Sequence, residues 1–236
     1  GPSDEAAQHV AANELRGLIS FFKCDIKNLH VPLMALIDYL GFRLVAISLL
    51  PIERNSIIYG SNDGGKTVHN SDPRCESMMR SAARQLNLQS HMVRGTKIYG
   101  PGDIEVHKGK DNRYYVVDYA RVFPPEAPSK NPKSNSNREK RKIFYRLLRP
   151  EFVRDNPVPL SSDAFTPFQK FDPRDPTLNA AVRQATERLY NVVIPNTAEK
   201  LDSWVRYESG QWTNNSEKNE NIDSPSQERK ENNNII

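Results

Sequence analysis

The stretch "DIEVHKGKDNRYYVVDYA", residues Asp103–Ala120, predicts a β-hairpin. Its two runs rich in β-branched and aromatic residues, Ile104–Lys108 and Arg113–Tyr119, have the composition of strands. The segment between them, Gly109–Asn112, is made of residues that favour tight turns. The second strand ends in an acid, Asp118, which directly follows two valines and is the first candidate for a functional group.

The segments around this hairpin complete an α+β pattern. Apolar periodicity and turn residues predict a helix at Asp4–Lys23, a hairpin of Leu33–Asp38 and Phe42–Leu50, strands at Ile57–Tyr59 and Lys97–Tyr99, and helices opening at Asp72-Pro73, Asp175-Pro176 and after Pro195-Asn196-Thr197. The side chains expected to face inward on the first and last of these helices are Val10, Leu15, Leu18, Ile19 and Phe22, and Leu201, Trp204 and Val205. We therefore predict a mixed or largely antiparallel sheet of hairpins with packed helices.

Composition divides the chain into one domain and two polar segments. Residues 1–3, Gly-Pro-Ser, are typical of a protease-cleavage scar left by an expression vector. Residues 4–207 are predicted to form the domain, with a linker-like insertion at 126–139 whose prolines and small polar residues cannot build a core. Residues 208–236 are rich in Asn, Glu, Lys and Ser and are predicted to be a disordered tail.

Bulk properties exclude several classes of protein. The net charge of +4 and the pI of about 9.0 favour acidic partners only mildly. Two cysteines are too few for a disulfide scaffold, which is consistent with a reducing, cytoplasmic location. No apolar run approaches the ~20 residues of a membrane helix, so we expect no membrane insertion. His69, His91 and His107 have no zinc-ligand spacing with the cysteines, and no metal site is predicted.

A second stretch, "IIYGSNDGGKTVHNSDP" at Ile57–Pro73, fits the phosphate-loop pattern G-x-x-x-x-G-K-[ST]. A true loop of this kind needs a helix that starts at the Lys-Thr end. Here the strongest helix start is at Asp72-Pro73, well beyond Lys66, and this favours an architectural turn. A simpler anion-binding nest of backbone amides stays open, with the candidate residues Gly64, Gly65, Lys66 and His69.

A basic segment follows the linker-like insertion. Its positive and aromatic residues interleave, and they are Lys140, Arg141, Lys142, Phe144, Tyr145, Arg146 and Arg149. Positive charge contacts phosphates and aromatic rings stack on unpaired bases, which makes the segment a candidate site for single-stranded RNA. The alternative is a solvated segment anchored to the core by Phe144, Leu147 and Leu148.

The order of these motifs resembles the clustered-mitochondria (CLU) domain over about Val31–Val153. The most specific part is H-x-G-x-D-x-R-Y-Y-V-x-D-x-A-R-x-x-P-P-E, from His107 to Glu126. The resemblance implies a non-catalytic module of a longer cytoplasmic protein, acting in mitochondrial organisation and in contacts with mRNA or the translation machinery. It implies no catalytic residue and no cofactor.

The alternative function is that of a phosphotransferase or a degenerate nucleotide-binding domain. A strand that ends in V-V-D-Y-A is similar to the metal-binding segment of kinase-like, two-lobed folds, with the hairpin Leu33–Leu50 in the small lobe. In that hypothesis Asp118 holds Mg²⁺ against ATP, Glu105 or Asp103 supplies a second acid, and Lys66 contacts phosphate. In the structural alternative, Asp118 pairs with Arg121 or Arg113 and has no chemical role.

Overall fold

The computed structural model describes residues 3–129 and 141–219, with side chains up to residue 207. The chain divides into two compact units, residues 1–187 and residues 188–236. All the candidate site residues predicted from sequence fall within residues 1–187, and the structure describes all of them except Lys140.

The first unit opens with helix α1, Asp4–Lys23, whose predicted bounds are confirmed. Ser3 caps it, because its hydroxyl accepts a hydrogen bond from the amide of Ala6 at 3.2 Å. The face that packs inward differs from the predicted one. Its buried members are Ala6, Asn13, Gly17, Leu18 and Phe21, whereas Phe22 is 70% exposed.

The main sheet has five strands in the spatial order β1-β9-β8-β4-β5. Their bounds are β1 Leu29–His30, β4 Ile57–Gly60, β5 His69–Asn70, β8 Glu105–Lys108 and β9 Tyr114–Val117. Strand β1 runs parallel to β9 and every other pair is antiparallel, which makes the sheet mixed. The quoted stretch Asp103–Ala120 therefore forms the β8–β9 hairpin near the centre of the sheet, as predicted.

Two further hairpins stand apart from the main sheet. They are β2 Met34–Tyr39 with β3 Phe42–Ile47, and β6 His91–Val93 with β7 Thr96–Ile98. The turn of the first hairpin holds Leu40 and Gly41 at φ values of 47° and 81°, a left-handed conformation that glycine adopts readily. This hairpin was predicted; strands β1, β5 and β6 were not.

Helix α2, Pro73–Gln85, begins where the sequence predicts. The carboxylate of Asp72 accepts hydrogen bonds from the amides of Arg74 at 2.8 Å and Cys75 at 3.4 Å. Pro73 occupies the first helical position, where its missing N–H is not needed. Cys75 and Met79 are buried, so the cysteine and methionine face of this helix is core.

The remaining elements of the first unit follow the gap in the described residues. They are a 3₁₀ turn at Lys142–Phe144, the short helix α3 at Pro150–Arg154, and helix α4 at Asp175–Arg188. Pro125 forms an isolated antiparallel bridge with Leu147. Leu178, Val182 and Ala185 of α4 are buried, as its periodicity predicts.

The second unit contains a π-helical turn, Leu189–Val193, and helix α5, Ile194–Asn219. The prediction that Leu201, Trp204 and Val205 face inward is wrong, because these side chains are 57%, 60% and 56% exposed. The predicted tail at residues 208–236 lies largely outside the described residues, although the backbone of α5 extends to Asn219. Most of the predicted linker at 126–139 also lies outside them.

The fold is α+β, as predicted. Its core lies between the main sheet and the helices and is built from side chains with almost no exposure, among them Tyr59, Met79, Val106, Val116, Tyr119 and Leu160. In the described part of residues 3–187, the β2–β3 hairpin belongs to the same compact unit as the main sheet, so it does not form a separate small lobe. No helix in the described ranges combines the length and apolar character needed to cross a bilayer.

Candidate functional site

Four acidic residues converge where strand β9 ends. Glu14 comes from α1, Asp103 and Glu105 from the start of β8, and Asp118 from the residue after β9. Asp118 has a left-handed backbone, with φ of 63°, which turns the chain out of the sheet. Two of the predicted metal acids therefore lie beside Asp118, as the sequence hypothesis requires.

Asp118 and Glu105 form a carboxyl–carboxyl pair. The pKa of Asp118 is raised to about 7, although part of the residue is exposed. The largest cause is the loss of water around its carboxyl group, because protein atoms crowd it. The hydrogen bond with Glu105 and the negative charges of Glu105, Glu14 and Asp103 add to the shift. Partial burial opposes ionisation of Glu105, but hydrogen bonds from His107 and Asp118 outweigh it and lower the pKa of Glu105. Below about pH 7 the pair therefore shares one proton, and the directions of the two pKa shifts place it on Asp118.

Histidine and backbone groups hold the other acids of this cluster. His107 Nε2 lies 2.8 Å from Glu105 Oε2, and its Nδ1 lies 3.0 Å from the hydroxyl of Ser56. Glu14 accepts a hydrogen bond from the amide of Tyr119 at 3.0 Å, and burial raises the pKa of Glu14. Glu14 thus stabilises the chain turn at the end of β9.

The structural alternative predicted an ion pair between Asp118 and Arg121, and this prediction is wrong because Arg121 has other partners. It binds Asp103 with two hydrogen bonds, from Nε at 2.7 Å and from Nη2 at 2.6 Å, and contacts Asp163 through Nη1 at 3.0 Å. The guanidinium group lies 4.8 Å from the ring centroid of Phe168. Asp103 is therefore engaged as the partner of a buried arginine.

Asp163 is the centre of a buried network that sequence reasoning missed. It is fully buried and also accepts hydrogen bonds from the amide of Gly102 at 2.7 Å and from His91 Nε2 at 2.8 Å. Burial alone would raise its pKa, but the charge of Arg121 and the hydrogen bond from His91 hold the pKa of Asp163 at about 2. No local motif marks this residue, because its partners are far away in sequence.

This arrangement is poorly suited to magnesium. Asp103 is neutralised by Arg121, and Asp118 loses its proton only as the pH rises through about 7. In residues 3–129 and 141–219, no group of three or more His, Cys, Asp or Glu side chains is arranged to hold a metal ion. Lys66, the predicted phosphate partner, forms no ion pair with the acids of this described cluster. The three predicted metal acids thus converge, but each of them already has a hydrogen-bond partner within the protein.

The glycine loop between β4 and β5 is organised around its own side chains. The amide of Gly65 donates to the hydroxyl of Ser61 at 2.8 Å, and the amide of Thr67 donates to the carboxylate of Asp63 at 2.9 Å. The hydrogen bonds that Asp63 accepts from Thr67, Ser61 and Lys66, led by that from the Thr67 amide, lower the pKa of Asp63 to about 2. Gly64 and Lys66 are exposed at the tip. The nest is thus already occupied by a carboxylate of the chain.

The hydrogen-bonding pattern around the same loop favours the architectural turn. His69 lies in β5, opposite Gly60 of β4, so the chain returns along the sheet and does not start a helix after Lys66. Gly60 has φ of 85°, and a Cβ atom there would collide with the carbonyl of Ile104. The glycine at this position serves close strand packing.

The basic segment is anchored to the domain by many of its own residues. Tyr145 is buried, and Phe144 packs 5.7 Å from the guanidinium group of Arg121. Arg146 pairs with Glu5 at 3.0 Å, and Arg149 pairs with Glu151 at 2.8 Å. These rings and charges take part in packing and ion pairs. A contact with RNA would therefore rest mainly on Lys140, which lies outside the described residues, and on Arg141.

One face of the β2–β3 hairpin is apolar and uncovered. Three cross-strand pairs form this face, and all six side chains are exposed: Ala35 with Ala46, Ile37 with Leu44, and Tyr39 with Phe42. We call these six residues the hairpin face. The opposite face contains the ion pair of Asp38 and Arg43 and is partly covered near α1. The lack of polar alternation in both strands is the sequence signal for this surface.

A family model described as "Clustered mitochondria" matches residues 1–128, just over half of the chain. The chain belongs to the clustered mitochondria (CLU) family. It is 33% identical over 133 residues to the clustered mitochondria protein homolog of Danio rerio, and 34% identical over 133 residues to that of Homo sapiens. Both alignments cover 52% of this chain, and they cover 9% and 10% of the two relatives.

A plant relative extends the alignment. The clustered mitochondria protein of Arabidopsis thaliana is 31% identical over 162 residues, which is 64% of this chain and 11% of that protein. The chain thus spans about a tenth of the length of the curated CLU relatives it matches. No solved structure matches the chain.

The residues that carry the CLU resemblance have structural roles in this domain. Asp111 closes the β8–β9 turn by accepting a hydrogen bond from the hydroxyl of Tyr115 at 2.7 Å. Arg121 joins Asp103 to Asp163 in the buried network, and the carbonyl of Pro124 accepts a hydrogen bond from the amide of Leu148 at 2.9 Å. The motif His107–Glu126 therefore describes the centre of the CLU fold and the way the basic segment returns to it.

Proposed function

We propose that this CLU domain is a non-catalytic interaction module that acts in mitochondrial distribution as part of a longer cytoplasmic protein. Family membership supports the mitochondrial role, since the relatives carry the name clustered mitochondria protein. The hairpin face supports the interaction role, and it is the single structural observation that carries the proposal. The partner we propose for it is another domain of the same longer protein.

The shape and chemistry of the hairpin favour a protein partner. A two-stranded sheet is only marginally stable in water unless something packs against it. Tyr39 and Phe42 are 65% and 72% exposed, and Ile37 and Leu44 are 43% and 53% exposed. Contiguous apolar side chains of this size usually mark an interaction site.

The charges near this face are already neutralised. Asp38 and Arg43 join through two hydrogen bonds of 2.7 Å on the opposite side of the hairpin. The hairpin face itself contains no charged or strongly polar group apart from the hydroxyl of Tyr39. An apolar surface of a neighbouring domain therefore fits it better than an acidic or basic partner does.

The proposal is tested in cells that lack the endogenous protein and express the full-length parent. The double variant Tyr39→Ser with Phe42→Ser should fail to restore the normal distribution of mitochondria, although its abundance is unchanged. The matched control is Val158→Ser, which changes an apolar side chain that is 47% exposed outside the hairpin. Normal rescue by the double variant would show that the hairpin face is not used.

A biophysical measurement separates interdomain contact from other partners. Amide hydrogen exchange of β2 and β3 should be slower in the full-length protein than in the isolated chain, because a docked domain protects the hairpin. The double variant should remove that difference and leave the exchange of β8 and β9 unchanged. Equal exchange in the two proteins would exclude another domain as the occupant.

A contact with mRNA or the translation machinery is the finer part of the proposal. It rests on the net charge of +4 and on the positive side chains at 140–142. Binding of a short single-stranded RNA can be measured by fluorescence anisotropy at several salt concentrations. The logarithm of the affinity should fall linearly with the logarithm of the salt concentration, with a slope of about −0.7 for each phosphate contact. Unchanged binding after Lys140, Arg141 and Lys142 are all replaced by Glu would reject this segment as the site.

A phosphotransferase remains the second candidate function, with Mg–ATP as its cofactor. The convergence of Asp118, Glu105 and Asp103 is the observation that keeps it open. Calorimetric titration of Mg–ATP into the wild type and into Asp118→Asn is the test, and the non-catalytic proposal expects the two titrations to agree. Binding that is lost in Asp118→Asn would favour the enzyme.

A further inference from the structure

A cationic pocket lies at one edge of the main sheet, away from the residues of the acid cluster and of the hairpin face. It has a volume of about 730 Å³ and is bordered by the segment that enters β1, the first turns of α2, and the β8–β9 turn. A volume of this order suits a small ligand. None of the proposed functions above uses this pocket.

Strand register brings its walls together. Strand β1 pairs in parallel with β9, with Leu29 opposite Tyr114, so the residues just before the two strands lie side by side. Asn28 and Asn112 both have left-handed backbones, with φ of 68° and 65°, at the ends of the two entering loops. The hydroxyl of Tyr114 donates to Asp72 Oδ2 at 2.8 Å and ties β9 to the start of α2.

The pocket collects positive charge from all three walls. Lys27, Arg74 and Arg113 line it, together with His30, and none of the described residues that line it is acidic. Lys27 and Arg74 form no ion pair with any described residue. Arg113 lies 3.8 Å from Asp111, an exposed contact of low strength.

Two carboxylates that contact neighbours of the pocket, Asp72 and Asp111, have partners of their own. Burial would raise the pKa of Asp72, but the hydrogen bond from Tyr114 and those from the amides of Arg74 and Cys75 lower it. The hydrogen bond from the hydroxyl of Tyr115 lowers the pKa of Asp111. Because Asp72 already takes the first amides of α2, a ligand in the pocket would be held by side chains.

We propose that this pocket binds a compact anion with more than one phosphate group. Arginine offers a planar fork that matches two phosphate oxygens, and lysine offers a mobile point charge. Arg74 and Arg113 approach from a helix and from a strand turn, so each can contact a different phosphate. The amide side chains of Asn28 and Asn112 supply neutral hydrogen bonds between them.

The ligand chemistry can come from a soluble polyphosphate or from a phosphorylated lipid headgroup. Calorimetry with sodium tripolyphosphate tests the soluble source on the intact chain. Flotation with phosphatidylcholine vesicles that contain phosphatidylinositol bisphosphate tests the headgroup. Binding in either arm supports the site, and the arm with the higher affinity identifies the source.

Charge-matched variants distinguish a site from general attraction. Arg74→Gln should weaken tripolyphosphate binding by about tenfold or more, and Arg74→Gln with Arg113→Gln should abolish it. The control is Arg84→Gln, which removes the same charge from an exposed arginine of the same helix outside this pocket. Thermal unfolding of each variant confirms that the fold is intact, since Arg74 and Arg113 are exposed.

The binding measurements on these variants either support the proposed site or overturn it. Loss of binding in the Arg74 and Arg113 variants, with normal binding in Arg84→Gln, is the expected result. An equal loss in Arg84→Gln would show only nonspecific attraction and would overturn the proposal. No binding in either arm, or binding of single-stranded RNA alone, would also overturn it.

Discussion

The carboxyl group of Asp118 is hydrogen-bonded to that of Glu105, and the proton between them resides on Asp118 below about pH 7. A metal ligand must be deprotonated to bind, so this pair is set for a structural bond across the end of the β8–β9 hairpin. His107 stabilises the charge on Glu105. Because of this shared proton, the stability of the fold should depend on pH.

Stability should fall as the pH rises through the range in which Asp118 loses its proton. The pKa of Asp118 rises from 3.8 to about 7 in the fold, so the folded state binds the proton more tightly than the unfolded state does. The stabilisation is complete below about pH 4 and is lost by about pH 7. We expect an effect on the order of 1 kcal/mol, because solvent screens a partly exposed residue.

Asp118→Asn should remove this dependence. The amide of asparagine can donate to Glu105 at any pH, so the variant should be more stable than the wild type at pH 8 and about equal at pH 5. Urea unfolding at several pH values measures the difference. Asp25→Asn is the control, because Asp25 is also exposed and left-handed, with φ of 47°. A wild type whose stability does not fall between pH 5 and 8 would contradict the assigned proton.

Arg121→Gln should destabilise the domain strongly. The change leaves Asp163 buried without its cation, and breaking a buried pair of this kind costs about 3–5 kcal/mol. Chemical unfolding measures the loss. The control Arg43→Gln removes an arginine with the same two-bond geometry to an exposed aspartate, and should change stability little because solvent screens this pair. Similar losses in both variants would mean that the buried network has no special importance.

Gly17→Ala should destabilise helix α1, although helix propensity predicts the opposite. Alanine is favoured over glycine in a helix by about 1 kcal/mol. At this position, however, a Cβ atom would collide with the backbone carbonyl of Tyr119. We expect a net loss of about 1–3 kcal/mol from the forced shift of the helix. A gain in thermal stability would show that α1 does not pack closely on Tyr119.

The two thiols should be unreactive until the chain unfolds. Burial raises the pKa of Cys24 to about 11 and, together with the charge of Asp72, that of Cys75 to about 12. At pH 8 a thiol with a pKa near 12 is ionised in about one molecule in ten thousand. Ellman's reagent should therefore label neither cysteine quickly in the native state and both in denaturant. Fast native labelling would place a thiol at the surface.

Local sequence signals were sufficient for the elements whose causes are local. The turn residues at Gly109–Asn112 gave the β8–β9 hairpin, and Asp72-Pro73 gave the start of α2. The predicted bounds of α1 match those in the structure, but the predicted buried face does not match the observed one. Apolar periodicity identifies a stripe on a helix, whereas the close approach of Gly17 to Tyr119 decides which side of that stripe faces the core.

By itself, the sequence determined the α+β class, because short-range turn and strand patterns encode it, and the motif from His107 to Glu126 was sufficient to indicate the CLU family. Only the tertiary structure decided what the acids at the β8–β9 hairpin do. Arg121 binds Asp103 and Asp163 and not Asp118, and the carboxylate of Asp63 accepts the backbone hydrogen bonds of the glycine loop. In each case the partner is the group that packing brings within hydrogen-bond distance. The cationic pocket has the same origin, since Lys27, Arg74 and Arg113 meet only where β1, α2 and β9 share one edge of the folded sheet.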